Sequence, residues 1–187
     1  MTGPAADRPA VFLDRDGTLI EDTGYLSTPE QVRLIPGTAD TLIALERAGV
    51  ARIVITNQSG IGRGRYLRSA FDATQRELER QLRDAGATID ASYHCPHAPE
   101  AGCLCRKPGT ALYREAIATW AIDPARSWCI GDQLRDLEPA KELGCHAMLV
   151  RTGHGGQHVE AARALGADVS DDLASGLAVL SHYICGL

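Results

Sequence analysis

Residues 11–21 read VFLDRDGTLIE, and the reading of this stretch decides the fold. Val11, Phe12 and Leu13 make an apolar run of the kind found in buried strands, yet the run ends in Asp14, Arg15, Asp16 and Gly17. A buried strand does not normally finish in carboxylates unless something at its end uses their charge. A metal, a phosphate, or both would do so. Residues two apart on an extended chain point the same way, so Asp14 and Asp16 address one site, and Gly17 lets the chain turn away at once.

Outward from this strand, short apolar runs alternate with helical patterns. Strands are predicted at 10–14, 52–56, 89–94, 127–131 and 146–150, and helices at 38–48, 111–120 and 136–143. The three- and four-residue spacing of Leu67, Ala70, Phe71, Thr74, Leu78, Leu82 and Ala85 predicts a long amphipathic helix. A weak strand and helix follow residue 167. Pro139 is tolerable only in the first turn of its helix, with Asp136 as the expected cap. The alternation predicts an α/β fold, a Rossmann-like, doubly wound and mostly parallel sheet covered on both faces. Such sheets bind ligands beyond the carboxyl ends of their strands, and FLDRDG, VITNQSG and CIGDQLRD each place polar groups there.

A chain of 187 residues suffices for one domain with a proper core, expected to span 1–187. With 44% hydrophobic and 23% charged residues and a formal charge of -5, it has the composition of neither a disordered nor a membrane protein. The arginines are dispersed among acids, which argues against a nucleic-acid surface. No apolar stretch matches a signal peptide or a membrane span. A cytoplasmic monomer is expected, without nucleic-acid or membrane partners.

A carboxylate attacks phosphorus to give an aspartyl phosphate, and a second carboxyl group nearby protonates the leaving alkoxide and later deprotonates water. The charge must be balanced: each like-charge pair at about 4 Å costs roughly 4 kcal/mol at an effective dielectric of about 20. Oxygen ligands and phosphate together favour Mg²⁺. Asp132, in the GD at a later strand end, is the natural second carboxylate for it. Lys107 is the candidate for a fixed positive charge facing the transferred phosphoryl group, and Thr56 offers a hydroxyl. A calcium loop is disfavoured, because it wants glycine at its sixth position and glutamate at its twelfth. A helix-capping Thr56 and a solvated Lys107 are the bland alternatives, and only the joint placement of these residues raises them.

The six cysteines are unevenly spread: three crowd into CPHAPEAGCLC, whereas Cys129, Cys145 and Cys185 lie apart. Cys95, His97, Cys103 and Cys105 suffice for a closed tetrahedral and therefore structural Zn²⁺ site. A disulfide with a spare thiol is the alternative, disfavoured in a cytoplasmic chain. Such a metal would fold a loop at about 95–105 and hold Arg106 and Lys107, which follow directly, over the active site. Cys129 and Cys145 read as buried thiols. His154 follows a strand and stands alone.

FLDRDGT, VITNQSG, CRKP and IGDQLRD, in this order, resemble the four motifs of the haloacid dehalogenase superfamily of phosphotransferases. The resemblance implies Asp14 as nucleophile, Asp16 as general acid and base, and Thr56 and Lys107 as phosphate ligands. It also implies Asp132 as a Mg²⁺ ligand together with Asp14 and the backbone carbonyl of Asp16. TNQSGIGRG and the cysteine loop make residues 11–155 similar to a compact branch without a large cap domain, the heptose bisphosphate and histidinol-phosphate phosphatases. For these the resemblance implies substrate contacts at Asp22, Thr23, Gly24, Tyr25, Thr56, Asn57, Gln58, Ser59, Arg106 and Lys107. Arg63 and Arg65 are further candidates, for a retained phosphate. Hydrolysis of the 7-phosphate of a heptose bisphosphate is the expected reaction. Histidinol phosphate or another small sugar phosphate is the alternative substrate, and a zinc-stabilised binding module without activity is the alternative of another class. The chain departs from the branch in reading RKPGTA after Arg106 and in placing Gln133 after Asp132.

Overall fold

The computed structural model describes residues 8–185, with side chains through residue 181, so residues 1–7 and the side chain of Cys185 lie outside the described residues. Six strands form one sheet: β1 (Ala10–Leu13), β2 (Ala51–Asn57), β3 (Ala91–Cys95), β4 (Trp128–Gly131), β5 (His146–Val150) and β6 (Asp168–Ser170). Their order is β3-β2-β1-β4-β5-β6, and every adjacent pair is parallel. The chain winds outward from β1 to one edge, then returns to build the other half from β4. The reversal between β1 and β4 opens a crevice at their carboxyl ends.

The helices are α1 (Thr38–Arg47), α2 (Ser59–Gly62), α3 (Arg68–Asp84), α4 (Ala111–Trp120), α5 (Leu134–Leu137), α6 (Pro139–Leu143), α7 (Val159–Ala164) and α8 (Leu173–Cys185). All four residues of β1 are buried because the strand is covered on both faces. Val11 and Leu13 pack with Leu42 and Leu45 of α1, Leu78 and Leu82 of α3, and Leu180 of α8. Ala10 and Phe12 point the other way, into a cluster with Tyr113 and Ala116 of α4 and Ala140 of α6. This alternation sets the direction of the residues that follow. No large cap domain interrupts the elements among the described residues.

The amphipathic spacing of α3 is realised, burying Phe71, Thr74, Leu78 and Leu82. The helix predicted at 136–143 is instead two short helices. Pro139 lacks an N–H and opens α6, with Glu138 at its cap position, so Asp136 does not cap that helix. Asp136 is the third residue of α5, where its Oδ2 accepts from the N–H of Gln133 at 3.1 Å. Helix α7, absent from the sequence expectation, is a short alanine-rich segment with only Ala162 buried, which leaves little periodicity to read. Among the described residues, no helix is long and apolar enough to cross a membrane.

Candidate active site

Strand register brings the reactive residues together. Leu13 is level with Val54 of β2 and Ile130 of β4, so Ile55, Asp14 and Gly131 come next in line. The N–H of Asp14 donates to the Ile130 carbonyl at 2.9 Å, extending the ladder one step past β1. By alternation Asp14 points to the Phe12 side, where the segment leading into α4 passes. Lys107 of that segment, 2% exposed, meets it there. Its Nζ donates to Asp14 Oδ1 at 2.6 Å and to the Ile55 carbonyl at 2.6 Å, and pairs with Asp136 Oδ1 at 2.7 Å. The Asn57 amide brackets the main chain of the same residue: Lys107 N–H donates to Oδ1 at 3.0 Å, and Nδ2 donates to the Lys107 carbonyl at 3.2 Å.

Asp132 follows β4 and is fully buried. Its Oδ2 accepts from the N–H of His154 at 2.8 Å, whereas its Oδ1 has no protein partner. Gly17 (φ +86°) and Gly153 (φ +55°) make room for this carboxylate, since a Cβ on them would lie 2.5 and 2.3 Å from Oδ2. Both the left-handed backbone and the missing side chain are therefore required.

Oxygens of Asp14, Asp132 and Asp136 lie within 4.8 Å of one another. Both oxygens of Asp136 are engaged, Oδ1 by Lys107 and Oδ2 by the Gln133 N–H, whereas Lys107 takes only Oδ1 of Asp14, so Asp14 and the unpartnered, buried oxygen of Asp132 are the donors that fit a hard divalent cation. The electrostatics agree. Burial pushes Asp14 up to about 8; Lys107 opposes the rise, while Asp136, Asp16 and Asp132 add to it. Burial also pushes Asp132 up to about 6, against the pull of the His154 N–H. A divalent cation bound there would favour the ionised form of both carboxylates, of Asp14 above all. Burial works against the charge of Lys107 as well, but Asp136 and Asp14 outweigh it and hold the ammonium above its ordinary value.

Asp16 stands apart from that group because other side chains claim its carboxylate. Arg15 Nε donates to Oδ2 at 3.1 Å and Nη2 to Oδ1 at 3.0 Å, a two-pronged grip. Gln58 Nε2 donates to Oδ2 at 2.8 Å and is 2.8 Å from Thr56 Oγ1. The Tyr66 hydroxyl orients this amide by donating to Oε1 at 2.7 Å, and burial pushes its pKa up to about 12, so it stays a donor. Arg15 itself is 1% exposed, with its guanidinium 5.0 Å from the Phe71 ring centre and its Nη1 3.4 Å from Thr74 Oγ1. Sequence reasoning passed over both Arg15 and Asp136. The signals were an arginine between two aspartates, and the four-residue spacing of acids in GDQLRD.

These groups open on a cavity of about 460 Å³ whose wall includes Asp14, Asp16, Thr56, Gln58, Gln133 and Arg135. Of the other sequence candidates, Asp22, Gly24, Tyr25, Asn57 and Ser59 also line it, while Thr23, Arg63, Arg65 and Arg106 do not; Lys107 and Asp132 are buried behind the wall rather than on it. Asp22 Oδ2 lies 3.3 Å from His154 Nε2, which brings that lone histidine to the wall. Arg63 is held by Glu100 at 3.5 Å and by the Tyr25 hydroxyl at 3.3 Å, and Arg65 lies 5.6 Å from the Tyr25 ring centre.

Beyond β3 the cysteine loop closes on itself. Cys95 Sγ lies 3.6 Å from His97 Nδ1, 3.6 Å from Cys103 Sγ and 3.3 Å from Cys105 Sγ. Cys105 Sγ is 3.2 Å from His97 Nδ1 and 3.5 Å from Cys103 Sγ. Three sulfurs and a nitrogen at these separations match the corners of a tetrahedron around Zn²⁺, whose bonds to sulfur are about 2.3 Å and to nitrogen about 2.0–2.1 Å. All three cysteines are free thiols, not a disulfide pair.

Comparison with known proteins agrees with this geometry. Residues 104–176 match a family model described as "HAD-hyrolase-like". The D-glycero-beta-D-manno-heptose-1,7-bisphosphate 7-phosphatase of Haemophilus ducreyi is 40% identical over 154 residues, covering 78% of this chain and 85% of that protein. The chain belongs to this phosphatase family. Its member from Bordetella bronchiseptica is 36% identical over 146 residues, covering 78% of this chain and 82% of that protein. A crystal structure of D,D-heptose 1,7-bisphosphate phosphatase from B. bronchiseptica, complexed with magnesium and phosphate, superposes with a TM-score of 0.86 at 33% identity, covering 92% of this chain and 97% of that one. The D,D-heptose 1,7-bisphosphate phosphatase from Burkholderia thailandensis gives a TM-score of 0.70 at 30% identity, covering 92% and 97%. The heptose bisphosphate phosphatase family thus shares the fold over nearly the whole of this chain.

Proposed function

We propose that this chain is a single phosphatase domain that hydrolyses the 7-phosphate of D-glycero-beta-D-manno-heptose 1,7-bisphosphate through an aspartyl phosphate on Asp14. The observation that carries the reading is the buried Asp14 carboxylate, gripped by Lys107 at 2.6 Å and facing the unpartnered oxygen of Asp132. Family relatives at 33–40% identity supply the substrate.

An oxygen of Asp14 attacks phosphorus, and the bond to the sugar oxygen breaks as Asp16 gives that oxygen its proton. Asp16, now ionised, takes a proton from water. The water oxygen attacks phosphorus, the Asp14–phosphorus bond breaks, and inorganic phosphate leaves. Arg15 and Gln58 fix the direction of Asp16, and Lys107 offsets negative charge on the phosphoryl oxygens. Mg²⁺ held by Asp14 and Asp132 would supply the remaining positive charge and align those oxygens. Zn²⁺ held by Cys95, His97, Cys103 and Cys105 would order the loop that delivers Lys107. The free thiols support a cytoplasmic setting.

The test is Mg²⁺-dependent phosphate release from the heptose bisphosphate beside histidinol phosphate, with Asp16→Asn used to accumulate a hydroxylamine-sensitive phosphoenzyme. Preference for the bisphosphate and a trapped adduct are expected. Faster turnover of histidinol phosphate would remove the substrate, and absence of any phosphoenzyme would remove the mechanism.

A further inference from the structure

A bisphosphate brings two anionic groups into the cavity, and only one is consumed. The phosphate that stays on the sugar must rest against a wall that already carries Asp14, Asp16 and Asp22. Like charges at such range repel strongly, so the wall needs a cation away from the reacting atoms. Lys107 is committed to Asp14 and Asp136, and Arg15 to Asp16. Arg63 is committed to Glu100 and lies off the wall, as do Arg65 and Arg106.

Arg135 is different. It is the one arginine or lysine among the described wall residues, and its side chain makes no hydrogen bond or ion pair among the described residues. Its Nε is buried without a partner, as is Nη1 of Arg106, but of the two only Arg135 lines the cavity. A guanidinium without a protein partner is costly to leave unmatched, and a phosphate arriving in the cavity would give it one. The first turn of α5 explains the placement. Successive helical residues are about 100° apart, at 3.6 per turn. Asp136 is turned inward, to Lys107 and the Gln133 N–H, so its predecessor is rotated towards the cavity.

We propose that Arg135 anchors the second, retained phosphate and thereby sets the preference for bisphosphates over monophosphates. This rests on the sugar-bisphosphate reading above. The experiment compares kcat/KM for the heptose 1,7-bisphosphate with that for the heptose 7-phosphate, two substrates with the same scissile ester. It uses the wild-type protein, Arg135→Gln, Arg135→Lys and Arg106→Gln.

Arg135→Gln should lower the bisphosphate-to-monophosphate ratio by about tenfold or more, chiefly through KM, because a charge-assisted hydrogen bond is lost. Arg135→Lys, which keeps the charge and loses the planar fork, should retain part of the preference and serves if the glutamine variant folds poorly. An unchanged ratio in Arg135→Gln, with a loss in Arg106→Gln, overturns the assignment while leaving the substrate reading in place. An equal loss on both substrates overturns it too. A wild-type protein with no preference for the bisphosphate overturns the substrate reading itself, and the anchor with it.

Discussion

Two clusters of side chains that could each hold a metal ion are built in opposite ways. The carboxylates of Asp14, Asp132 and Asp136 come from segments more than a hundred residues apart, yet strand register places them and the core encloses them. The four groups of the cysteine loop come from eleven consecutive residues, and apart from Cys95 they are partly or fully exposed. The first cluster is preformed by the sheet and held against its own repulsion. The second has almost no core and is organised by its ligands. Metal in the first place should therefore govern chemistry, and metal in the second should govern local order.

The sharpest way to break this contrast is to remove one member of each cluster. Asp14→Asn should lower kcat by roughly 10⁴-fold or more, the scale on which a lost nucleophile acts, with the far-UV circular dichroism unchanged. Residual turnover near the wild-type rate would remove Asp14 from the chemistry. Cys105→Ser should abolish bound zinc in elemental analysis and open residues 96–106 to protease, lowering kcat by about a hundredfold through misplacement of Lys107. A zinc-free variant with full activity would show that the loop needs no metal to deliver its lysine.

A smaller effect is expected at the grip on Asp16. Arg15→Lys keeps the positive charge but loses the two-pronged contact, and should lower kcat on alkyl phosphates by about tenfold. The loss should shrink with an aryl phosphate, whose leaving group needs little protonation. Equal losses on both would mark Arg15 as a purely structural residue.

The smallest effect is one of pH. Burial raises Asp14 to about 8 and Asp132 to about 6. Both are favoured in the protonated form by the fold, so their contribution to metal-free stability is full below the ordinary carboxylate pKa near 4 and is lost as pH rises through about 6 and about 8. The gain in Tm on adding Mg²⁺ should therefore be larger at pH 8 than at pH 5.5. Thermal melts in chelator and in Mg²⁺ at the two pH values decide it, and an equal gain at both would place the ion away from these carboxylates.

Much of the site was legible because its signals are local. An apolar run ending in DxDG needs no tertiary knowledge to be odd, and four ligating residues within eleven announce themselves. The fold class was legible for the same reason, since both periodicities are properties of short windows. What escaped depends on direction rather than position. Asp136 read as the cap of the helix that holds Pro139; one of its oxygens instead serves the start of α5, and nothing in GDQLRD says that the other turns to an ammonium. Arg15, a long charged side chain, is expected in water, and the stack on Phe71, the pull of Asp16 and the hydroxyl of Thr74 hold it inside. Arg63 and Arg65, chosen because arginine suits bidentate phosphate binding, are drawn off to Glu100 and Tyr25 instead.

Asn57 gives Lys107 a second mooring. Its amide clasps both polar groups of the Lys107 backbone, so one residue at the tip of β2 does for an incoming loop what a neighbouring strand would do. The lysine is thus tied to the rigid frame from one side and to the cysteine knot from the other. A loop fastened at two points keeps its lysine in place only while both hold, so release of either should let the ammonium drift from its carboxylates.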